Sequence, residues 1–337
     1  MNHYLITGGG GFIGSHVVRY LTKHGHRVRV LDNFLTGNRD NLSEIIDDID
    51  LIDGDFRSEK TANLAVQDIE YVIHLGALPS VPRSVRNPVL TTDINVNGTV
   101  TLLKAAQQSG VKRVVFASSS SVYGDSPELP RVETQTLRPL SPYAVSKLSG
   151  EYYHSCFYRL HGLETVSLRF FNVFGPRQDP NSQYAAVIPR FIQKILQGQP
   201  PVVYGDGEQT RDFTYVENVV NAVFKACHAE RAAGEVINIA CGRRISLNHL
   251  IKLLRELTNA DINPEYTDPR PGDVRDSLAD IAKAKELLDY VPAVSMAEGL
   301  SRTYNWYSNQ NHKLLIEGIK LFTKSENATH AAKVKLK

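Results

Sequence analysis

Tyr143 and Lys147 are four residues apart and directly follow a Ser141-Pro142 pair. Serine is a common N-cap and proline is common at the first helical position, so this pair predicts that a helix begins here. On a helix, residues i and i+4 lie on one face, and the phenol and the ammonium can therefore point into the same space. Taken alone, the spacing suits a catalytic pair and a chance pairing equally well.

A tyrosine can act as a base near neutral pH only if its pKa lies well below the ordinary value of about 10. The charge of Lys147 and the positive end of a helix would both lower the pKa of Tyr143. A serine run at residues 118–121 follows a β-rich segment at 111–117. The hydroxyl of Ser119 could pass the proton on or hold the oxygen of a substrate. These three side chains together indicate general acid–base chemistry.

The N-terminus has the pattern of a complete dinucleotide-binding unit. A β-rich run leads into four consecutive glycines, and a helical segment and a second β-rich run follow before Asp32. Gly8, Gly11 and Gly14 permit a tight turn, close approach of the backbone to a pyrophosphate, and close helix–sheet packing. The free N–H groups of the helix N-terminus would bind the phosphates. Asp32 would accept hydrogen bonds from both ribose hydroxyls and would repel a 2′-phosphate, so NAD is favoured over NADP.

Two further segments extend the predicted cofactor site. The strand predicted at residues 71–77 ends in small residues, which suits backbone that runs beside a bound cofactor. Asp55 could accept from the adenine amino group while Phe56 packs nearby, although a solvated turn carboxylate explains these residues equally well. The residues predicted to bind NAD are Gly8, Gly11, Phe12, Ile13, Gly14, Asp32, Asn33, Asp55, Phe56, Leu75, Ala77, Tyr143 and Lys147.

Length, charge and cysteine content narrow the class of protein. A chain of 337 residues is longer than one average domain and can bury a large core. The net charge of +2 provides no general attraction for nucleic acid or anionic membranes, so any anion must bind in a local pocket. Three cysteines without CxxC spacing suit a reducing compartment, and the histidines show no metal-ligand spacing. No run has the length of a membrane span, and we expect a cytoplasmic protein without a metal.

Periodicity along the chain predicts an α/β fold with a doubly wound parallel Rossmann sheet, because short β-branched segments alternate with helical patterns. The predicted NAD-binding domain comprises residues 1–172 and 213–243. A smaller α/β substrate-binding domain, residues 173–212 and 244–310, would close over the C-terminal edge of the sheet, where such folds bind ligands. Residues 311–337 are predicted to form a frayed or disordered tail.

With these elements in place, the chain closely resembles the extended short-chain dehydrogenase/reductases and, among them, the nucleotide-sugar 4-epimerases. The resemblance covers the chain from about Asn2 to Tyr307. It rests on the glycine motif with Asp32, on the serine run ending in Val-Tyr-Gly, and on the Tyr143-x-x-x-Lys147 spacing. The segment 169–177, Arg211-Asp212-Phe213 and Arg270-Pro271-Gly272-Asp273 extend it.

The resemblance implies a UDP-sugar substrate and a cycle that regenerates NAD. As a phenolate, Tyr143 removes the proton of the sugar 4-hydroxyl while NAD takes the hydride from C4. The 4-keto sugar then rotates about its diphosphate tether and receives the hydride on its other face. Ser119 hydrogen-bonds the reacting oxygen, Ser121 supports it, and Lys147 holds the nicotinamide ribose. The implied substrate site consists of Ser80, Ser119, Ser120, Ser121, Tyr143, Asn172, Gln178, Ala186, Val187, Tyr204, Arg211, Arg270, Asp273 and Ser277.

Within this site, the resemblance assigns Asn172, Arg211 and Arg270 to the diphosphate and places Val187 and Tyr204 near the nucleoside. Two arginines and an amide suit a diphosphate in an otherwise nearly neutral protein. A single arginine taken alone would be better explained by a structural salt bridge.

Other proteins of this fold remain as alternatives. A 4,6-dehydratase needs an acid and a base beside the sugar, and that family has Asp-Glu where this chain has Ser120 and Ser121. A nucleotide-sugar decarboxylase typically has a glutamate there, which is also missing. A non-catalytic NAD-sensing regulator usually lacks the tyrosine or the lysine, and this chain has both. An epimerase is therefore favoured.

The identity of the sugar depends on local segments. Residues 79–84, 177–181 and 184–189 resemble the branch that acts on UDP-N-acetylhexosamines, although Pro79 replaces a glycine of some members. Ser277 stands where related epimerases have a pocket-wall residue, and a small side chain there resembles enzymes that admit a 2-acetamido group. We therefore expect interconversion of UDP-GlcNAc and UDP-GalNAc, with UDP-Glc and UDP-Gal as further substrates and a UDP-glucuronate 4-epimerase as the alternative.

The helices predicted at residues 93–109 and 141–160 resemble the pair that forms a four-helix interface between two subunits in this family. Their apolar positions could instead simply face the sheet. We expect a homodimer.

Overall fold

The structure, a computed structural model, describes residues 1–180, 186–269 and 274–310. The predicted substrate residues Arg270 and Asp273 and the predicted tail lie outside these residues. No helix in the described part of the chain combines the length and the apolar character needed to cross a bilayer.

A seven-stranded parallel sheet forms the centre of the molecule, which confirms the predicted fold class. Its strands in chain order are His3–Thr7, Arg27–Asp32, Asp50–Asp53, Tyr71–His74, Arg113–Ser119, Glu164–Phe170 and Val236–Ile239. The first strand lies between the second and the fourth, so the strand order reverses there. Doubly wound sheets bind ligands at the carboxyl ends of the strands beside such a reversal.

Helices cover both faces of this sheet. Those up to residue 161 are Phe12–Lys23, Glu59–Ala65, Val81–Arg86, Pro88–Thr92, Gly98–Gln108 and Pro142–His161, with a π-helical segment Asp93–Asn97 and 3-10 helices Arg39–Asn41, Ser43–Asp48 and Ser120–Tyr123. One core layer includes Val17, Val115 and Val219, and the other includes Val114 and Leu102. The inner strands His3–Thr7 and Arg113–Ser119 are buried along almost their whole length because helices cover both faces, whereas Arg27–Asp32 and Asp50–Asp53, nearer one edge, keep exposed polar positions.

A smaller set of elements follows residue 172. Its strand pairs are Val173–Phe174 with Thr214–Tyr215, Val202–Tyr204 with Glu265–Thr267, and Thr210–Arg211 with Ile245–Ser246. Its α-helices are Val187–Leu196, Leu247–Thr258, Ala282–Leu288 and a helix from 296 to 310. The helix Val216–His228 packs against Phe12–Lys23, and a 3-10 turn Glu230–Ala232 leads into the last strand of the main sheet. The predicted domain boundaries stay a prediction.

Candidate active site

The glycine turn after the first strand can be made only by glycine at two of its positions. Gly8 has a φ of +72°, and a Cβ there would lie 2.7 Å from the backbone nitrogen of Gly76. A Cβ on Gly14 would lie 2.1 Å from the carbonyl oxygen of Gly8. Neither position has room for a side chain, so the turn packs backbone against backbone and leaves the N-terminus of the helix Phe12–Lys23 open to a pyrophosphate. The chain fits a bound dinucleotide here.

Asp32 ends the second strand and is 8% exposed. Its two carboxylate oxygens accept the N–H groups of Gly10 and Phe34, each at 2.8 Å. Burial raises the pKa of Asp32 even though both hydrogen bonds act in the opposite direction. Each carboxylate oxygen keeps a second lone pair, so Asp32 can still accept a ribose hydroxyl as predicted.

Asp55 is neither a free carboxylate nor a fully solvated one. It accepts from Asn33 Nδ2 at 2.9 Å and forms an ion pair with Arg57 at 2.7 Å, and Arg57 also pairs with Asp93 at 2.6 Å. Partial burial opposes the effect, but the bonds from Arg57 hold the pKa of Asp55 below its ordinary value. Phe56 is buried beside it and lies edge-on to His74. Both residues line the cavity described below.

Tyr143 and Lys147 lie on the helix Pro142–His161, which begins as predicted because the Ser141 hydroxyl accepts the N–H of Ala144 at 3.2 Å. The ammonium of Lys147 is buried and donates to the carbonyl oxygen of Ala117 at 2.8 Å. It lies 5.9 Å from the centre of the Tyr143 ring and 4.9 Å from that of Phe116. The helix and the strand Arg113–Ser119 thus bring the tyrosine, the lysine and the serine run together.

The pKa of Tyr143 does not shift in the expected direction. Burial raises it, and only the hydrogen bond with Ser119 acts to lower it. Burial also lowers the pKa of Lys147 to about 8. The expectation of a lowered tyrosine pKa is therefore wrong for this structure. The physical reason is that desolvation of the phenolate outweighs the positive charge, part of which is directed at the Ala117 carbonyl.

The members of the serine run have different surroundings. Ser119 and Ser120 line the cavity, and the Ser119 hydroxyl accepts the N–H of Ser121 at 3.2 Å. The Ser121 hydroxyl is buried, has no hydrogen-bond partner among the described residues, and is not on the cavity wall that they form. Ser121 can therefore contribute through its backbone, whereas Ser119 and Ser120 can reach a ligand.

A cavity of about 1530 Å³ runs along the carboxyl ends of the strands. The predicted residues that line it are Gly8, Gly11, Phe12, Ile13, Gly14, Asp32, Asn33, Asp55, Phe56, Leu75, Ala77, Ser80, Ser119, Ser120, Tyr143, Lys147, Asn172, Gln178 and Ala186. Every predicted cofactor residue is in this set. The described residues contain no cluster of His, Cys, Asp and Glu that could hold a metal ion.

Several residues that line the cavity were not predicted as site residues from the sequence, among them Arg83, Gln193, Trp306 and Tyr307. Trp306 is the only tryptophan of the chain, and this was the sequence feature that could have indicated a role in the site. The Tyr307 hydroxyl donates to the backbone carbonyl of Gln178. The last described helix therefore closes the outer side of the cavity, a relationship between residues far apart in sequence.

A second cavity of about 230 Å³ shares Asn172, Val173 and Ala186 with the first. The predicted residues Val187, Tyr204 and Arg211 line it. Its other walls include Phe213, Leu247 and Arg190, so it combines apolar and aromatic surfaces with two guanidinium groups. Such a compartment can hold a heteroaromatic ring with a nearby anionic group.

Asn172 has a φ of +36° and lies where the two cavities meet. Its Nδ2 donates to the carbonyl oxygen of Asp212 at 3.0 Å and to the Ser277 hydroxyl at 3.4 Å. Ser277 itself is not among the described residues that line either cavity. It lies directly behind Asn172, one side chain away from the cavity.

The chain is similar in sequence to known proteins. The model of the NAD dependent epimerase/dehydratase family matches residues 4–240. The chain is 40% identical over 309 residues to a putative UDP-glucose 4-epimerase of Methanocaldococcus jannaschii, covering 91% of this chain and 99% of that protein.

Two solved structures have the same fold. One is a UDP-N-acetylglucosamine 4-epimerase from Methanobrevibacter ruminantium in complex with UDP-N-acetylmuramic acid, with a TM-score of 0.88, 40% identity, and coverage of 92% of this chain and 99% of that one. The other is a UDP-glucose 4-epimerase of Thermus thermophilus in complex with NAD, with a TM-score of 0.82, 35% identity, and coverage of 90% and 98%.

Proposed function

The chain belongs to the NAD dependent epimerase/dehydratase family, and we propose that it is a 4-epimerase of UDP-sugars that interconverts UDP-GlcNAc and UDP-GalNAc. One observation carries the proposal. Tyr143, Lys147 and Ser119 converge on a cavity whose one end is a dinucleotide cradle and whose other end joins the compartment with Tyr204 and Arg211. This arrangement suits a cofactor and a nucleotide sugar whose reactive ends meet at the tyrosine.

When bound, NAD would supply reversible hydride transfer at the sugar carbon. The residues that would hold it are the Gly8–Gly14 turn, Asp32 and the ammonium of Lys147. Tyr143 accepts the proton of the sugar 4-hydroxyl and later gives it back. Ser119 donates to the same sugar oxygen, which keeps the oxygen near Tyr143 while the proton moves.

The tether of the rotating 4-keto sugar would be held at the junction of the two cavities. Asn172 lies there and Arg211 lines the smaller cavity, and both could bind the diphosphate, because amide and guanidinium N–H groups donate to phosphate oxygens. The base would occupy the 230 Å³ compartment beside Tyr204. Fixing the nucleotide while leaving the sugar free to turn is what inversion at C4 requires.

The small side chain of Ser277, behind Asn172, favours a 2-acetamido sugar. Ser277 is small and contacts Asn172, so this side of the cavity has no bulky side chain from position 277. The acetamido arm must fit in both orientations of the sugar, and an aromatic ring here would obstruct at least one of them. We therefore propose that N-acetylated substrates are accepted and preferred, with UDP-Glc and UDP-Gal as further substrates.

UDP-glucuronate is the second candidate because Arg83 lines the same cavity near Ser80, whose hydroxyl caps the N–H of Arg83. A guanidinium group there could bind a C6 carboxylate. Asp179 also lines the cavity and would repel that carboxylate, which places this reading second. The dehydratase alternative has no support from Ser120 or Ser121, because a hydroxyl cannot replace the required carboxyl groups.

The experiment is to incubate the purified protein separately with UDP-GlcNAc, UDP-Glc and UDP-glucuronate and to resolve the epimers by chromatography. We expect UDP-GalNAc from UDP-GlcNAc at the highest kcat/KM. A preference for UDP-glucuronate would replace the first candidate with the second. Absence of any 4-epimer would reject the proposal.

We also propose that the protein is a homodimer. Val89, Val145, Tyr152 and Leu160 are 79%, 49%, 62% and 76% exposed on the helices Pro88–Thr92 and Pro142–His161. Several large apolar side chains exposed on neighbouring helices are typical of a protein–protein interface. A second copy of the same surface would cover them in a symmetric dimer.

A further inference from the structure

A buried ion pair lies directly beneath the catalytic residues. Glu151 and Arg169 have side chains that are each 3% exposed. The pair is bidentate, with Arg169 Nε at 2.9 Å from Oε1 and Nη2 at 2.8 Å from Oε2. Glu151 lies on the helix Pro142–His161 and Arg169 lies on the strand Glu164–Phe170.

This pair is connected to both groups of catalytic side chains. Glu151 follows Lys147 by one helical turn and Tyr143 by two, so the three lie along one face of the helix. Its Oε1 also accepts the hydroxyl of Ser118, the residue directly before Ser119. The helix that carries the base is thereby linked to the strand that carries the serine.

The far end of the serine run is held by the same pair. Arg169 Nη1 donates to the hydroxyl of Tyr123 at 2.9 Å, and that hydroxyl donates to Asn238 Oδ1 at 2.7 Å. The guanidinium carbon also lies 4.8 Å from the centre of the Tyr123 ring. Ser118, which also lines the cavity, and Tyr123 lie on either side of Ser119 and Ser120, so the backbone between them is held at both ends.

The contribution of a buried ion pair to the stability of the fold does not by itself explain why this pair is present. Desolvation of two buried charges roughly cancels their attraction, and well-packed apolar residues of similar volume are often equally stable. A bidentate pair with two further hydrogen bonds does define one relative position of a helix and a strand. We propose that Glu151 and Arg169 are positioning residues that set the placement of Ser119 relative to Tyr143 in the proposed epimerisation.

The ion pair can affect the chemistry through the hydrogen bond between Ser119 and Tyr143, because this bond lowers the pKa of Tyr143 against the effect of burial. Lys147, on the same helix, is the charged group that faces the Tyr143 ring. Burial lowers the pKa of the neighbouring His154 to about 4, so its imidazole is neutral near pH 7. If the serine run loosens, the bond lengthens and the pKa of Tyr143 rises. A smaller fraction of phenolate then remains at neutral pH.

The test uses the full chain with NAD and the variants Ser118→Ala and Glu151→Gln. We measure kcat and KM for the UDP-sugar that the wild type converts. The Tyr143 pKa is measured by NMR titration of protein labelled with carbon-13 at tyrosine Cζ, with the signal assigned by Tyr143→Phe. We expect Ser118→Ala to lower kcat about 10- to 100-fold, as small displacements of reacting groups do. KM should change little, and the pKa of Tyr143 should rise as in Ser119→Ala.

Glu164→Gln is the matched control. Glu164 accepts a hydrogen bond from Arg113 at 2.6 Å, and the Arg113 side chain is 5% exposed. This pair joins the strands Arg113–Ser119 and Glu164–Phe170 at the end opposite the cavity. The control should lower the melting temperature while leaving kcat and the pKa of Tyr143 unchanged. If Glu151→Gln does not fold, Ser118→Ala and Tyr123→Phe decide the question, because each removes a single hydroxyl group.

Wild-type kcat together with a wild-type Tyr143 pKa in Ser118→Ala would overturn the inference and leave the pair a purely structural role. The inference depends on the proposed function for its kinetic readout alone. If the wild type converts no UDP-sugar, the proposed function fails, whereas the NMR titration still shows whether the ion pair controls the pKa of Tyr143.

Discussion

Asn172 and Ser277 are 105 residues apart in sequence and meet at 3.4 Å through the amide nitrogen and the hydroxyl. Asn172 lies where the two cavities join, so an enlarged residue 277 would press on the place where the sugar turns in the proposed reaction. This contact makes substrate selectivity testable at a residue that is not itself on the described cavity wall.

We predict that Ser277→Tyr lowers kcat/KM for UDP-GlcNAc and UDP-GalNAc by roughly 100-fold or more, because steric exclusion exceeds the gain from any single apolar contact. UDP-Glc and UDP-Gal should be converted at nearly the wild-type rate. Ser277→Ala is the control and should keep all four activities. Equal losses on the four sugars would indicate a folding defect, and an unchanged preference would exclude position 277 from selectivity.

Tyr143→Phe should lower kcat by about 10²- to 10⁴-fold, which is the usual contribution of a general base. Binding of the UDP-sugar should remain close to that of the wild type, since only the proton-transfer group is lost. Ser119→Ala should have a milder effect. Calorimetric titration alongside the rate assay separates the two quantities, and substantial activity in the Phe variant would rule out Tyr143 as the base.

The protein should purify with NAD bound, because a cofactor that is regenerated in each cycle has no need to dissociate. Gly14→Ala should purify without it, since the added Cβ would lie 2.1 Å from the Gly8 carbonyl oxygen. Acid release followed by chromatography identifies the nucleotide. Finding NADP in the wild type would contradict the role of Asp32.

Fluorescence gives an independent readout of cofactor binding. Trp306 is the only tryptophan and lines the large cavity, so NADH added to protein stripped of its nucleotide should quench its emission. Gly25→Ala serves as a control, because that glycine has a φ of +75° but has no neighbouring atom within 4 Å of an added Cβ. It should lose some stability and still retain the nucleotide.

Stability should fall as the pH decreases from about 6.5 toward 4. Burial lowers the pKa of His16 and of His154 to about 4, and it holds the pKa of His74 well below its ordinary value. Below pH 6.5 the unfolded chain therefore binds protons that the folded chain does not, and each unit of pKa difference corresponds to about 1.4 kcal/mol.

Melting temperatures between pH 7 and pH 5 test this expectation. His154→Phe should show a smaller decrease than the wild type, because the buried imidazole that resists protonation is gone. Replacing the exposed His249 by glutamine should leave the decrease as it is. An unchanged pH dependence in His154→Phe would exclude that residue as a source of the acid sensitivity.

Light scattering at micromolar concentration should show a dimer. The double variant Tyr152→Glu, Leu160→Glu should be monomeric, because it places four like charges in a symmetric interface built on the exposed helix surface. Leu64→Glu is the control, since Leu64 is 52% exposed on the helix Glu59–Ala65 rather than on the proposed interface. A monomeric wild type would reject the dimer.

The cofactor half of the site was accessible from the sequence because its determinants are local. Glycines without room for a Cβ, a strand that ends in Asp32 and a helix that begins at Ser141 are each specified by a few consecutive residues. Their positions in the structure agree with the predicted elements, and every predicted cofactor residue lines one cavity. Short-range sterics and capping require no knowledge of the rest of the fold.

Tertiary structure decided what depends on burial and on residues distant in sequence. The fold brings Ser119 to Tyr143, joins Arg57 to Asp93, and places Ser277 behind Asn172 rather than on the cavity wall. It also reverses the expected pKa shift of Tyr143, because desolvation is set by the whole surrounding core and not by the neighbouring lysine. Residue spacing determines which groups share a helix face, whereas only packing determines how much water reaches them.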